Sequence, residues 1–237
     1  MVAESAPSPA APQPERLECF TMLPRLNVLI DLLHRCPDAA LATHSVALPG
    51  YPFASALPFA VDGRHRPVLL ISKLAEHTQN LAADARASLM VHVPAHNGDM
   101  ARATLIGMVK PVESEPLLVD RYVRYQPSAA DFLQLGDFRF YIMEPAQARI
   151  IGGFGQAAWL AGERLTDACP LTLTQERATL DALAPAMPAG IELLGIDSFG
   201  VDFWQGDQRQ RVSFTAGAAT PDALVAVARR AIDGVSG

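Results

Sequence analysis

The sequence predicts an α+β protein, in which a closed or sandwiched β core is followed by a small α+β unit. From Ala39 to about Ile151 the chain runs as short apolar segments broken by turn residues: LATHSV, FASALPFAV, PVLLIS, ASLMVHV, ATLIGMVKPV, FRFYIM and ARII. Gly50, Gly63, Asn97-Gly98 and Gly107 punctuate these segments. That rhythm suits a sheet closed on itself better than a doubly wound sheet. From about Thr166 the pattern changes to a helix, three strands and a last helix.

Before the strands, residues 1 to about 16 are mainly Ala, Pro, Ser and Glu, with little apolar surface to offset the entropy of ordering, and read as a disordered tail. Leu26, Leu29, Ile30 and Leu33 recur at helical spacing, and that segment closes at Pro37-Asp38. Asp62-Gly63 is a hairpin turn between the second and third strands. Two helical inserts interrupt the sheet. One spans about Glu76 to Ala83; the other spans about Glu115 to Leu135, breaks at Gln126-Pro127, and has Ser128 placed to cap its second piece. GGFGQAAWLAGERL reads as the exit from the first domain. Beyond it come a helix from Thr174 to Leu183 and strands at IELLGID, VDFW and RVSF, then a helix from Pro221 capped by Thr220.

Half of the 237 residues are hydrophobic and 19% are charged, so the chain can bury a sizeable core. The net charge of −6 and pI near 5.5 argue against broad binding to nucleic acid or an anionic membrane. Cys19, Cys36 and Cys169 are widely spaced without a CxxC pair and read as buried thiols. The first residues lack the pattern of a secretory signal, and no apolar run reaches about 18 residues, so a cytoplasmic location is expected.

Two segments carry candidate chemistry. In ISKLAEHTQNLAADARASLMV a strand ends at Ile71 and hands over to Ser72, Lys73, His77, Thr78 and Asn80. A helix start offers free N–H groups and partial positive charge, so Ser72 and Lys73 there form a receptor for phosphate or carboxylate. The alternative is that Ser72 caps the helix and Lys73 is solvated. In GYPFASALPFAVDG, Ser55 lies between Ala54 and Ala56, small residues that let a flat ligand approach the strand backbone. Tight strand packing is the competing reading. His65 and His96 fall in turn text and are expected to face solvent; His44 and His92 fall in strand text and are expected to be satisfied wall residues.

Together LATHSVALPGYPFASALPFAVD (41–62), LLISKLAEHTQNLAADARASLMV (69–91), ATLIGMVKPV (103–112) and RYVRYQPSAADFLQLGDFRFYIMEPAQARIIGGFG (121–155) resemble the pyridoxamine-phosphate-oxidase-like FMN-binding split barrels, within them the haem-utilisation branch. The resemblance implies a six-stranded Greek-key split β-barrel domain at 17–160, a small α+β domain at 166–237, and a homodimer holding FMN, or alternatively haem, between its subunits. It places Ser55 and Ala56 beside the cofactor ring and Ser72, Lys73, His77 and Asn80 around its phosphate or propionates. Arg149 and Gly153, in the loop 152–155, complete the site from the partner, with Trp159 closing the cleft. No metal site is expected unless His77 ligates haem iron. The family's second domain carries a His-Met-Asn-x-Asp-His stretch where this chain reads ALAPAMPAGIELLG, with no histidine.

Three functions follow as expectations: an FMN-dependent oxidoreductase, in which the flavin carries the chemistry; a haem-binding or haem-degrading protein; or a non-catalytic carrier, sensor or dimeric module.

Overall fold

The computed structural model describes residues 24–94, 100–152, 157–214 and 220–234. The predicted tail, the Asn97-Gly98 turn, His96 and Gly153 lie outside them.

Helix α1 (Pro24–Arg35) buries Leu26, Leu29, Ile30 and Leu33, as their spacing predicts. Strands β1 (Asp38–His44), β2 (Pro52–Val61) and β3 (Pro67–Ser72) follow. Helix α2 (Glu76–Ala83) leads to β4 (Arg86–Pro94) and β5 (Met100–Pro111). Helices α3 (Pro116–Tyr125) and α4 (Ala129–Gln134) precede β6 (Phe138–Gly152). The second helical insert does break at Gln126-Pro127, but the Ser128 side chain makes no capping bond.

The strands pair antiparallel in the order β3-β2-β1-β4-β5-β6, and β6 pairs back to β3. This closes the expected six-stranded barrel around Leu41, Phe59, Leu69, Leu89, Leu105 and Met143. Two runs that read separately in the sequence, FRFYIM and ARII, form the single 15-residue strand β6. Its first half pairs with β3; its second half pairs with β7 (Ala157–Ala161), a strand that the sequence presents only as a domain exit. Between the halves Ala146 has no partner on β5, where the register shifts between Ile106 and Gly107. A side chain at Gly107 would meet the Glu144 carbonyl and one at Gly162 the Pro145 carbonyl, so both bulge contacts require glycine.

A short helix α5 (Gly162–Thr166) leads to α6 (Leu173–Leu183), whose start is held by a capping box of Thr172 and Gln175. Strands β8 (Ile191–Ile196), β9 (Gly200–Gln205) and β10 (Gln208–Ser213) form a separate three-stranded sheet. Helix α7 (Pro221–Asp233) starts at Thr220 as expected. Leu180, Leu183, Val201, Phe203, Leu224 and Ala228 make this unit's own core. Cys36 is a buried free thiol, whereas Cys169 is disulfide-bonded, which corrects the expectation of free thiols for that residue. Among the described residues no helix is long and apolar enough to cross a membrane.

The two units are joined by buried charge. On α3, Arg121 pairs with Glu176 of α6 and donates to the Val61 carbonyl at 2.5 Å. Arg124 donates to the Leu194 carbonyl at 2.7 Å, and the Tyr125 hydroxyl donates to Asp202 at 2.6 Å. Because Arg121 and Glu176 are both almost fully buried, deleting one partner strands the other without water. Glu176→Ala is therefore expected to cost about 3–5 kcal/mol of unfolding free energy. Equilibrium denaturation of the full chain checks this, and a loss under about 1 kcal/mol would show that the pair is dispensable.

Candidate cofactor site

Strand alternation sends one set of barrel side chains inward and leaves the other on the outer face. On that outer face Ala56, Ala40, Met90, Thr104, Arg149 and Trp159 lie side by side across β2, β1, β4, β5, β6 and β7. The adjacent row reads Ala54, Ala42, Ser88, Ile106, Gln147 and Ala161. At the usual interstrand spacing the face spans about 24 Å. It is small-residue and flat at the β2–β1 end and bulky at the other, where Trp159 is 54% exposed, Ile106 43% and Met90 38%. The Arg149 guanidinium sits over the Trp159 ring, 5.3 Å from its centroid, a cation–π contact that holds the charge at the edge of the face. An apolar face of this size on a barrel wall favours a covering partner or ligand.

The predicted site residues divide into three groups. Ala56 and Arg149 lie on this face, four strands apart in one row. Ser55, between the two outward alanines, points the other way and meets His77 of α2, its Oγ 3.1 Å from Nδ1. Burial lowers the His77 pKa, which favours the neutral imidazole, and Nε2 is buried without a partner among the described residues. Ser72 and Lys73 form the turn after β3. The Ser72 hydroxyl donates to Asp137 at 2.5 Å and accepts from the Leu74 N–H at 3.1 Å, while Lys73 is exposed.

Asn80 is fully committed to the fold. Its Nδ2 donates to the Thr43 hydroxyl at 3.0 Å, its Oδ1 accepts from the Val46 N–H at 2.9 Å, and the residue is buried. It ties α2 to the end of β1. Gly153 lies outside the described residues.

Three histidines depart from expectation. His44 and His92 are exposed, not wall residues, because each falls on the outward step of its strand. His65 is buried, not solvent-facing: its backbone takes a left-handed φ of 58°, which turns the ring under Phe199 and toward His34.

Sequence reasoning missed the constellation that His65 joins. His34 Nδ1 lies 2.7 Å from Asp202 Oδ2; Arg211 reaches Asp202 at 3.1 Å, Asp197 at 3.0 Å and Asp31 at 2.9 Å. Burial lowers the pKa of both histidines, that of His65 to about 4. Burial opposes ionisation of Asp202, but Arg211 and His34 overcome it and hold its carboxyl well below the usual range. A signal for the cluster exists in the strand text QRQRVS, which places Arg209 and Arg211 on one face opposite VDFW. A separate cavity of about 540 Å³ lies at the junction of the units, lined by Gly63, Arg66, Glu113, Leu118 and Leu171 among others. None of the predicted cofactor residues among the described ones lines it.

The closed six-stranded antiparallel barrel with its flat outer face is the fold that the resemblance implied. The chain belongs to the CREG beta-barrel family, whose model matches residues 30–166. A chloroplastic non-canonical haem oxygenase, HOZ, of Arabidopsis thaliana is 33% identical over 125 residues, which cover 52% of this chain and 39% of that protein. The match thus spans well under half of that relative. The structure of Atu2129, a protein of unknown function from Agrobacterium tumefaciens, superposes with a TM-score of 0.65 at 23% identity over 93% of this chain and 99% of that one. A haem-binding protein from Mycobacterium smegmatis gives 0.54 at 23% identity over 90% and 96%. These two structures bear on the fold alone.

Asn80→Ala removes two buried hydrogen bonds and is expected to cost about 1–3 kcal/mol of stability without changing affinity for either candidate cofactor. Denaturation and cofactor titration on the same variant check this; an affinity loss with unchanged stability would return Asn80 to the binding site.

Proposed function

We propose that the chain binds haem as a cytoplasmic homodimer, on the outer barrel face around Ala54, Ala56 and Arg149. The observation that carries this reading is the face itself: small residues where a flat ring approaches closely, bulky apolar residues beside them, and a guanidinium at the edge to pair with a propionate. A second copy of the chain brings its own Arg149 and Trp159 toward the alanine end, which joins Ala56 and Arg149 in one shared site. The partner also covers exposed apolar surface.

His77, bonded to Ser55 on the opposite side of β2 from Ala54 and Ala56, lies off this face, so the fit to haem rests on the small-residue face and the Arg149 charge at its edge. Haem, when bound, supplies a redox-active iron that takes up small ligands. The chain's own residues orient the ring, pair its carboxylates and limit water at its apolar face. The match to the Arabidopsis haem oxygenase supports the same choice and raises oxygenolytic degradation of the bound haem as the activity to test.

FMN is the second reading, favoured by α2, whose N-cap Ala75 makes no side-chain bond and leaves helix N–H groups for an anion beside the exposed Lys73. Haem is preferred because the Ser72 hydroxyl at that turn is already bonded to the Asp137 carboxylate, whose charge opposes a phosphate.

Haemin titration of the purified full chain should give a saturating Soret band, with Arg149→Ala weakening binding by about 1–3 kcal/mol. Loss of the band with an electron donor and oxygen would add degradation to binding. Saturable flavin bands that depend on Lys73 instead would establish the FMN reading, and silence with both cofactors would leave a cofactor-free module. Sedimentation of a monomer at micromolar concentration would remove the shared site.

A further inference from the structure

We infer that His34, His65 and Asp197 form a buried binding site for a divalent first-row metal ion such as zinc, separate from the cofactor face. The three residues come from different segments: the end of α1, the turn between β2 and β3, and the turn between β8 and β9. All three are buried, and one ligand atom from each lies within 4.8 Å of the other two. His34 Nε2 is 3.2 Å from His65 Nδ1 and 3.2 Å from Asp197 Oδ2. Two donors bound to one tetrahedral zinc at the usual bond lengths stand roughly 3.3 Å apart.

Each ligand is held by a partner outside the site. His34 is oriented by Asp202 on Nδ1, the carboxylate–histidine pairing common behind metal-bound imidazoles. Asp197 Oδ1 accepts the Phe199 and Gly200 N–H groups at 2.6 and 3.0 Å, which aims Oδ2 toward His34. His65 is aimed by its left-handed backbone, a conformation that is costly for a histidine and is met where the surroundings demand it.

Proton counting shows why hydrogen bonds alone leave the group incomplete. A carboxylate only accepts, so Asp202 claims the Nδ1 proton of His34, and a neutral ring then presents a lone pair at Nε2. His65 Nδ1–H donates to that lone pair, but Asp197 Oδ2 faces the same nitrogen with a second lone pair at 3.2 Å, and His65 Nε2 remains buried without a partner. A cation between the three atoms removes the conflict; the other solution is an extra proton on His34. Arg211 also contacts Asp197, at 3.0 Å, but it shares its charge with Asp202 and Asp31. Arg209 donates to the His34 carbonyl and lies over the Tyr125 ring, and the Asp62 carbonyl accepts from the His65 N–H while its carboxylate is bonded to Arg66. The metal so placed closes a link between barrel and C-terminal sheet.

The test uses the full-length chain, treated with a chelator, desalted, incubated with zinc sulfate and desalted again. Atomic emission should find one zinc per chain, and the melting temperature should rise by several degrees over the stripped protein. His65→Asn keeps a residue that tolerates the left-handed backbone while removing the imidazole. It should fold, retain at least tenfold less zinc, and melt at the same temperature with or without zinc. A wild-type protein that retains no zinc and melts identically with and without chelator overturns the site. Equal zinc retention by His65→Asn overturns it as well, by placing the metal elsewhere.

Discussion

The interaction on which the two units depend is the buried ionic junction between α1, α3 and the C-terminal sheet. Asp202, on the central strand of that sheet, receives His34 from α1, Tyr125 from α3 and Arg211 from β10. Taking so many charged groups out of water is expensive, and the cost is offset only while every partner is present. The junction thus acts less as a source of stability than as a constraint on geometry. It fixes α3 against β8 through Arg124 and the Leu194 carbonyl, and it seats the β2–β3 turn, where His65 lies, beneath Phe199. That turn ends β2, the strand that carries Ala54 and Ala56 to the candidate cofactor face.

The opposite end of the same face depends on the long strand β6. Its first half closes the barrel on β3, and its second half supports β7, so Trp159 is placed by a strand that also serves as the seam. The bulge at Ala146 separates the two duties. Without the approach that Gly107 and Gly162 permit, the strand could not bend enough to serve both, and Arg149 would lose its position over Trp159.

Much of this architecture is legible in the residues. The strands through β5, the break at Gln126-Pro127 and the Thr220 cap all follow from local rules of periodicity, proline geometry and capping. The candidate site was legible only in part. Ser55 stands beside His77, and Ala56 and Arg149 lie on the outer face, whereas Asn80, polar in a donor-rich segment, is spent on Thr43 and Val46. The seventh strand hides in AAWLA because alternation over five residues is a weak signal next to a glycine-rich run. His65 misleads for a clearer reason: turn composition predicts exposure, but this turn is overlain by a second unit, and a one-dimensional reading of GRHRP does not contain that cover. Non-local burial of charge, from segments more than 150 residues apart, leaves no local trace at His34.

The ionic junction also bears on how such a chain can change over evolutionary time. Its members are divided between the units so evenly that neither half keeps a neutral, satisfied surface on its own: a barrel inherited alone would expose Arg121 and Tyr125, and a sheet inherited alone would expose Asp202 and Arg211. Recombination that swapped one unit for a relative's would have to bring along the matching charges. Loss of either unit would therefore leave buried charges of the other without their partners, even though each unit has a hydrophobic core of its own.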